Sequence, residues 1–435
     1  MRKKIGIIGA GTAGLHLGLF LRNHDVEVTI VSDRRPEDYQ HARLMNTVGH
    51  NHETLARETS LGVNHWHDGT VGYFCHHVVI NAEDPVRFRG DYNLPSRAVD
   101  YRVYLPRLME DFEERGGRFE YRDVSSADIP QLSARFDLVI VGTGKGVLGR
   151  MFKAVPALSP FERPQRALCA GIYRGVRVAT PRGVTFSVLP GHGEAMDFPM
   201  LTFDGLMTAI VVGNLPGGHL EEMAHLSYDN NPRLFLDTFL RKLEKHHPDI
   251  FARIEPAEFD LARPLDILQG GVVPTVREAF VELDDGKFAI AIGDVHSVTD
   301  PLTGQGGNMA SYAAGVLGEH IVREDIYDRR FCVRVDHERA ERVLAASSWT
   351  NVMLRPPTEE LNRLFEGMAL NKSIADEFTE NFNYPERQWD RLASGRRMLQ
   401  WIEERRPAKA AERSQMDLAD WAPAAGHAAS LRQAI

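Results

Sequence analysis

The stretch Lys4-Ile5-Gly6-Ile7-Ile8-Gly9-Ala10-Gly11-Thr12-Ala13-Gly14 decides the fold. Its apolar run reads as a buried parallel strand. The glycines that follow open a helix carrying Leu15, Leu17, Leu19, Phe20 and Leu21 over residues 12–23. Gly9 permits the tight turn, Gly11 lets a pyrophosphate approach the backbone, and Gly14 lets helix and strand pack closely. Thr12 and Ala13 begin the helix, whose free N–H groups and positive dipole end suit phosphate oxygens. Residues 26–31 form a second β-branched strand. Asp33 follows it, 19 residues after Gly14, where a carboxylate accepts hydrogen bonds from a ribose. This half leaves FAD and NAD(P) both open. Arg34 and Arg35 suit a 2′-phosphate or simply a solvated turn.

Working outward, residues 71–74 and 77–80 read as short strands and 99–115 as a helix stopped by Gly116-Gly117. Residues 136–141 return to a buried strand. Residues 167–173, 184–188 and 208–212 suggest an antiparallel sheet. Residues 233–246 read as a helix and 288–292 as another buried strand. A further helix starts near Gly306, and 331–405 is charged and helical. The expected division is 1–70, 97–165 and 285–330 for the nucleotide-binding part, 71–96 and 166–284 for an inserted substrate part, 331–405 for C-terminal helices, and 406–435 for a loose tail.

The bulk numbers restrict function. With 435 residues and a net charge of −9, the chain carries no broad basic surface, so nucleic acid is not an expected partner. No apolar run approaches the length of a membrane helix, no signal peptide precedes the first strand, and a cytoplasmic location is expected. Cys75, Cys169 and Cys332 lack metal or redox spacing, and no metal site is expected.

The second half of the case is Gly293-Asp294, then Asp300-Pro301, then Gly304-Gln305-Gly306-Gly307-Asn308. This run resembles the second FAD motif of the flavoprotein aromatic hydroxylases. The resemblance implies an α/β architecture: a Rossmann-type FAD-binding domain, an interleaved antiparallel substrate domain and a helical C-terminus. It implies that Asp294 holds the ribityl chain and that Pro301 starts a loop beside the isoalloxazine. Gly304 to Asn308 would then set backbone N–H groups near the flavin pyrimidine, where a helix N-terminus stabilises the negative charge of reduced flavin. By the same resemblance Arg43, Arg102 and Val124 are expected FAD contacts.

Residues 9–21, 265–274, 308–314 and Asn381-Phe382-Asn383-Tyr384-Pro385-Glu386-Arg387-Gln388-Trp389-Asp390 are more specific. They resemble the oxygenase (epoxidase) subunits of the two-component, group E styrene monooxygenases, from residue 1 to about 405. The resemblance implies epoxidation of styrene and related vinyl arenes through a flavin C4a-hydroperoxide, with O2 as co-substrate and reduced FAD supplied by a separate NADH-dependent flavin reductase. A homodimer would follow from the resemblance alone. Asn46 and Thr47 are the expected catalytic positions. Val48, His50, Tyr73, His76 and Ser96, with Val211, Leu302 and Thr303, are the expected substrate pocket.

One departure bears on mechanism. Single-component hydroxylases carry an Asp-Gly pair after the strand equivalent to 137–141. This chain has Thr143-Gly144 there, and keeps Arg150. The missing carboxylate agrees with a flavin delivered already reduced; neutral drift at a turn is the alternative. No catalytic triad or HExxH motif occurs, and epoxidation needs no general base to activate the alkene. The tryptophans make no Trp-x-Trp-x-Ile-Pro run, which sets aside the tryptophan halogenases of the same fold. An indole monooxygenase of the same family and a non-catalytic flavin-binding redox sensor remain as alternative readings.

Overall fold

The computed structural model describes residues 3–67, 70–144 and 146–405. The expected loose tail, 406–435, lies outside the described residues. Strand β1 (Lys4–Ile8) lies between β2 (Glu27–Ser32) and the strand Leu138–Val141, parallel to both. Arg118–Tyr121 and Phe288–Ala291 extend this sheet in parallel, and Phe280–Glu282 closes its edge antiparallel. These central strands are apolar on both faces because helices cover both. Helix α1 (Thr12–Arg22) buries nearly its whole surface, since it is squeezed between the sheet and other helices.

The second sheet has nine strands and is mainly antiparallel. Its long members are Tyr73–Ile80, Val86–Ala98, Ala167–Arg174, Gly183–Leu189, Gly193–Thr202 and Gly205–Asn214. The two strand pieces expected at 71–74 and 77–80 are one strand, with a register shift between Tyr73 and Cys75. Two short strands cross the expected domain boundaries. Gly49–His50 pairs with Ala98 and Arg97 in the second sheet, whereas Phe280–Glu282 belongs to the first.

Helix α2 (His52–Leu61) and helix α3 (Tyr101–Glu114) flank α1. Asp100 caps α3 by accepting the Arg102 N–H at 2.9 Å. Helix α4 (Gln305–Arg323) runs beside α1, with Gly318 against the Phe20 ring. Helix α5 (Arg329–Met353) and the helices Glu359–Leu370, Lys372–Glu380, Pro385–Leu392 and Gly395–Glu404 complete the chain. They bury Trp349, Phe378 and Trp401 in the same apolar cluster as Tyr73 and Val211. Thus the C-terminal helices roof the second sheet.

Candidate active site

The two glycine motifs meet in space. Gly9 has φ +108°, and a Cβ there would lie 2.4 Å from the Gly142 carbonyl oxygen, so only glycine serves. A Cβ on Gly14 would lie 2.0 Å from the Gly9 carbonyl. A Cβ on Gly293 would lie 3.3 Å from that of Ala13 and 3.8 Å from that of Ala310, so the second motif touches both α1 and α4. The first turns of these helices therefore border one region, and both offer backbone N–H groups to an anion.

The residues there fit a flavin dinucleotide. A Cβ on Gly11 would meet nothing within 4 Å, so the loop faces open space where a pyrophosphate needs it. Thr143 Oγ1, in the loop beside Gly9, and Gln305 Oε1, at the first residue of α4, are buried without a protein partner. Asp33 is exposed at the end of β2, and Val124 packs partly buried near Ile8 and Val31. Asp294 lies near the start of α4: a Cβ on Gly306 would be 4.0 Å from its Oδ1. Asp300 caps the turn Pro301–Thr303, accepting the Leu302 N–H at 3.0 Å, and Gly304 follows at φ +62°.

Three expected cofactor residues have other work in the structure. Arg43 pairs with Asp229 at the surface. Arg102 is buried, and its fork is filled by Asp100, at 2.6 Å, and Asp266, at 2.5 Å, with the Ala42 carbonyl at 3.2 Å. It therefore clamps the start of the loop that carries Asn46 and Thr47. Leu44 ties the same loop to the Leu265 carbonyl. The Asn308 amide is used on both sides. Its oxygen accepts from the Asn51 N–H and the Thr54 hydroxyl, and its nitrogen donates to the carbonyls of Gly49 and Gly304. Asn308 holds α4, α2 and the Gly49–His50 strand together.

The expected pocket residues divide in two. Tyr73, Val211 and Leu302 share an apolar cluster with Phe382 and Trp349, and Tyr73 faces Ser96 across the ladder. His76 sits in an aromatic box. Phe382, Phe186 and Tyr92 stand edge-on at 4.4, 5.0 and 5.0 Å. Its Nε2 bonds the Tyr92 hydroxyl at 2.9 Å, and its buried Nδ1 has no partner. Burial pushes His76 down to about 3, so the ring is neutral near pH 7. Thr303 bonds the Thr350 hydroxyl at 2.6 Å, which fixes the Pro301–Thr303 turn on α5. Asn46 accepts weakly from the Val48 N–H at 3.4 Å, while Val48 packs against the position of a Gly307 Cβ, at 2.9 Å.

His50 is tied into a hydrogen-bonded network beside Gly307. Both ring nitrogens are engaged, Nδ1 with Glu58 at 2.7 Å and Nε2 with the Tyr101 hydroxyl at 2.9 Å. Tyr101 in turn accepts the Thr12 hydroxyl at 2.8 Å. Burial raises the Glu58 carboxyl, but the hydrogen bond from His50 and the charge of Arg97 outweigh it and hold it at about 2.

Sequence reasoning missed Phe382 as a site residue. Its ring faces His76 and its carbonyl accepts from Gln305, at 3.1 Å, and Asn51, at 2.6 Å. The 381–390 motif was its one signal, and nothing in that motif reveals a contact with a histidine far upstream. A surface cleft of about 990 Å³ opens among the C-terminal helices, lined by charged groups such as Glu377, Arg391 and Arg405. None of its lining residues belongs to the glycine motifs. Among the described residues, no cluster suits a metal and no helix is long and apolar enough to cross a membrane.

Residues 144–253 match a family model described as "Styrene monooxygenase A putative substrate binding domain". Curated relatives called styrene monooxygenase StyA, from Pseudomonas sp and Pseudomonas fluorescens, are each 51% identical over 94% of this chain and 100% of their own. Solved structures share the fold at low identity. The flavin-dependent brominase Bmp2 matches with TM-score 0.59 at 13% identity, covering 93% of each chain. A flavoprotein/dehydrogenase from Cytophaga hutchinsonii matches with TM-score 0.60 at 13% identity, covering 89% of this chain and 94% of its own. By its identity to StyA across nearly its whole length, this chain belongs to the styrene monooxygenase family.

Proposed function

We propose that this chain is the oxygenase component of a two-component, FAD-dependent styrene monooxygenase, converting styrene and related vinyl arenes to epoxides. Phe382 is the observation that carries the reading: one residue borders both the aromatic box of His76 and the N-terminus of α4. An apolar substrate held beside these rings would then lie near the helix N-terminus that would hold the flavin. Reduced FAD, when bound, activates O2 and supplies the transferable oxygen atom.

The chain's residues bind, orient and exclude water. Gly9, Gly11, Thr12, Ala13 and Gly14 would cradle the pyrophosphate, Asp33 the ribose and Asp294 the ribityl chain. The first turn of α4, Gln305 to Gly307, would stabilise negative charge on the flavin pyrimidine. Asn46 and Thr47 would position the reacting groups. Tyr73, His76, Ser96, Val211 and Leu302 would shape an apolar, water-poor wall. The parallel sheet and its helices form the FAD-binding part, and the nine-stranded sheet the substrate part.

Thr143-Gly144 in place of an Asp-Gly pair supports a flavin that arrives reduced from a separate NADH-dependent reductase. The test is an assay of the purified chain with FAD, NADH, styrene and an unrelated flavin reductase. Styrene oxide should form only when the reductase is present. Rapid NADH oxidation by the chain alone would instead identify a single-component hydroxylase. Indole offered in place of styrene should turn over more slowly.

A further inference from the structure

Tyr101 stands between the two helix N-termini. Its hydroxyl accepts from Thr12, the first residue of α1, at 2.8 Å. It also lies 2.8 Å from where a Gly307 Cβ would be, in the first turn of α4. Behind it, His50 and Glu58 continue the chain of hydrogen bonds into the core.

With Glu58 ionised, counting donors and acceptors gives the inner bonds of this network their direction, and the outer ones follow from the state of His50. Arg57 Nε donates to Ser311 Oγ at 3.0 Å. Ser311 donates to His16 Nδ1, also at 3.0 Å, because Tyr104 gives its proton to Glu58 and so takes the His16 Nε2–H. His16 Nε2–H donates to the Tyr104 oxygen at 2.7 Å, and Tyr104 donates to Glu58 Oε1 at 2.8 Å. Glu58 Oε2 accepts from Arg97 at 2.6 Å. Glu58 Oε1 takes the His50 Nδ1–H, so a neutral His50 presents Nε2 as an acceptor. Tyr101 donates to it and accepts from Thr12. In this arrangement the Thr12 proton points inward, away from the phosphate loop.

One proton on His50 reverses the outer half of the chain. His50 Nε2–H then donates to Tyr101, Tyr101 donates to Thr12, and the Thr12 hydroxyl proton is freed from Tyr101. We propose that Glu58, His50, Tyr101 and Thr12 form a proton-coupled relay, in which binding of the flavin pyrophosphate draws one proton onto His50. His50 and Tyr101 are positioning residues here, and the inference rests on the flavin reading above. The charged and titratable groups facing His50 are Glu58 of α2, Arg97 of the second sheet, and Tyr101 and Tyr104 of α3. Farther out are His16 of α1, Arg57 of α2 and Asp294 before α4. Glu58, beside the ring, is the anion that balances the added charge. The rest of the network has no free acceptor to take the proton: burial holds His16 at about 3, and Arg97 and Arg57 are already cations.

The test is calorimetric titration of oxidised FAD into the full chain, between about pH 6 and about pH 8, in buffers of differing ionisation enthalpy. Oxidised FAD is used because its pyrophosphate carries no titrating proton there. The slope against buffer enthalpy should show uptake of up to about one proton per FAD, and affinity should rise by up to about tenfold per unit fall in pH. Tyr101→Phe should still bind FAD, with uptake near zero. His50→Gln, which has no titrating group, should behave the same way and serves if the first variant fails to fold. FAD binding without proton uptake in the parent chain would overturn the relay alone. Undiminished uptake in His50→Gln would also overturn it. Failure of the parent chain to bind FAD in either redox state would overturn the flavin reading with it.

Discussion

Gly307 lies so close to Tyr101 that a Cβ on the glycine would stand 2.8 Å from the phenol oxygen. The same atom would meet Val48 Cγ1 at 2.9 Å. Gly307→Ala must therefore push apart α4, α3 and the loop before Gly49. An unfolding cost of about 1–3 kcal/mol is expected from such overpacking, with weaker FAD binding as well. Chemical denaturation and FAD titration of the same variant measure the two effects.

Gly11→Ala should behave oppositely. Its added methyl meets no protein atom within 4 Å, and its φ of −79° suits any residue. The unliganded chain should keep its stability to within about 0.5 kcal/mol. FAD affinity should fall at least about tenfold, because the methyl occupies the approach of the pyrophosphate. A variant that binds FAD normally would show that the cofactor lies elsewhere.

Arg102 and Arg43, both expected at the sequence level to touch FAD, should separate sharply. Arg102→Met leaves Asp100 and Asp266 buried without their cation, at a cost of about 3–5 kcal/mol. Arg43→Ala removes an exposed pair with Asp229 and should change stability by no more than about 1 kcal/mol. Urea denaturation of both variants decides this; equal effects would contradict the assignment of Arg102 as a clamp.

The fold also carries a pH dependence. Burial lowers His16 and His76 to about 3 and His247 to about 4, against 6.5 for an ordinary histidine. The unfolded chain binds these protons first. Stability should therefore be full above 6.5 and fall as pH drops from there toward 3. At about pH 5 each group costs roughly 2 kcal/mol. Glu58 adds a further loss from 4.5 down to its folded value of about 2. Thermal denaturation across this range should show a steep decline, and His76→Phe should flatten it. A midpoint unchanged from neutral pH to about pH 5 would contradict the neutral, buried state of these rings.

Much of the first sheet was legible because its strands and turns obey local rules. An apolar run, glycines and a leucine-rich helix specify the nucleotide-binding unit without reference to the rest of the chain. The strand Val86–Ala98 was not legible. It alternates Arg87, Arg89 and Asp91 with Phe88, Gly90 and Tyr92, and it is met by Lys372, Asp376 and Glu380, brought from the far end of the chain. The same limit applies to the site. Glycines declare a phosphate loop by spacing, whereas the partners of His50, Glu58 and Tyr101, become its neighbours only through packing of α2 and α3. The aromatic box needs Phe382, which the fold delivers from the C-terminal helices.

As proposed, this chain would transfer oxygen from a flavin that reaches it already reduced. The most direct measurement mixes the purified chain with chemically reduced FAD under anaerobic conditions, then adds oxygen and styrene, with no NADH and no reductase. Styrene oxide is expected, approaching one equivalent per bound flavin. Reduced FAD that demonstrably binds and then reoxidises without forming epoxide would contradict the proposal.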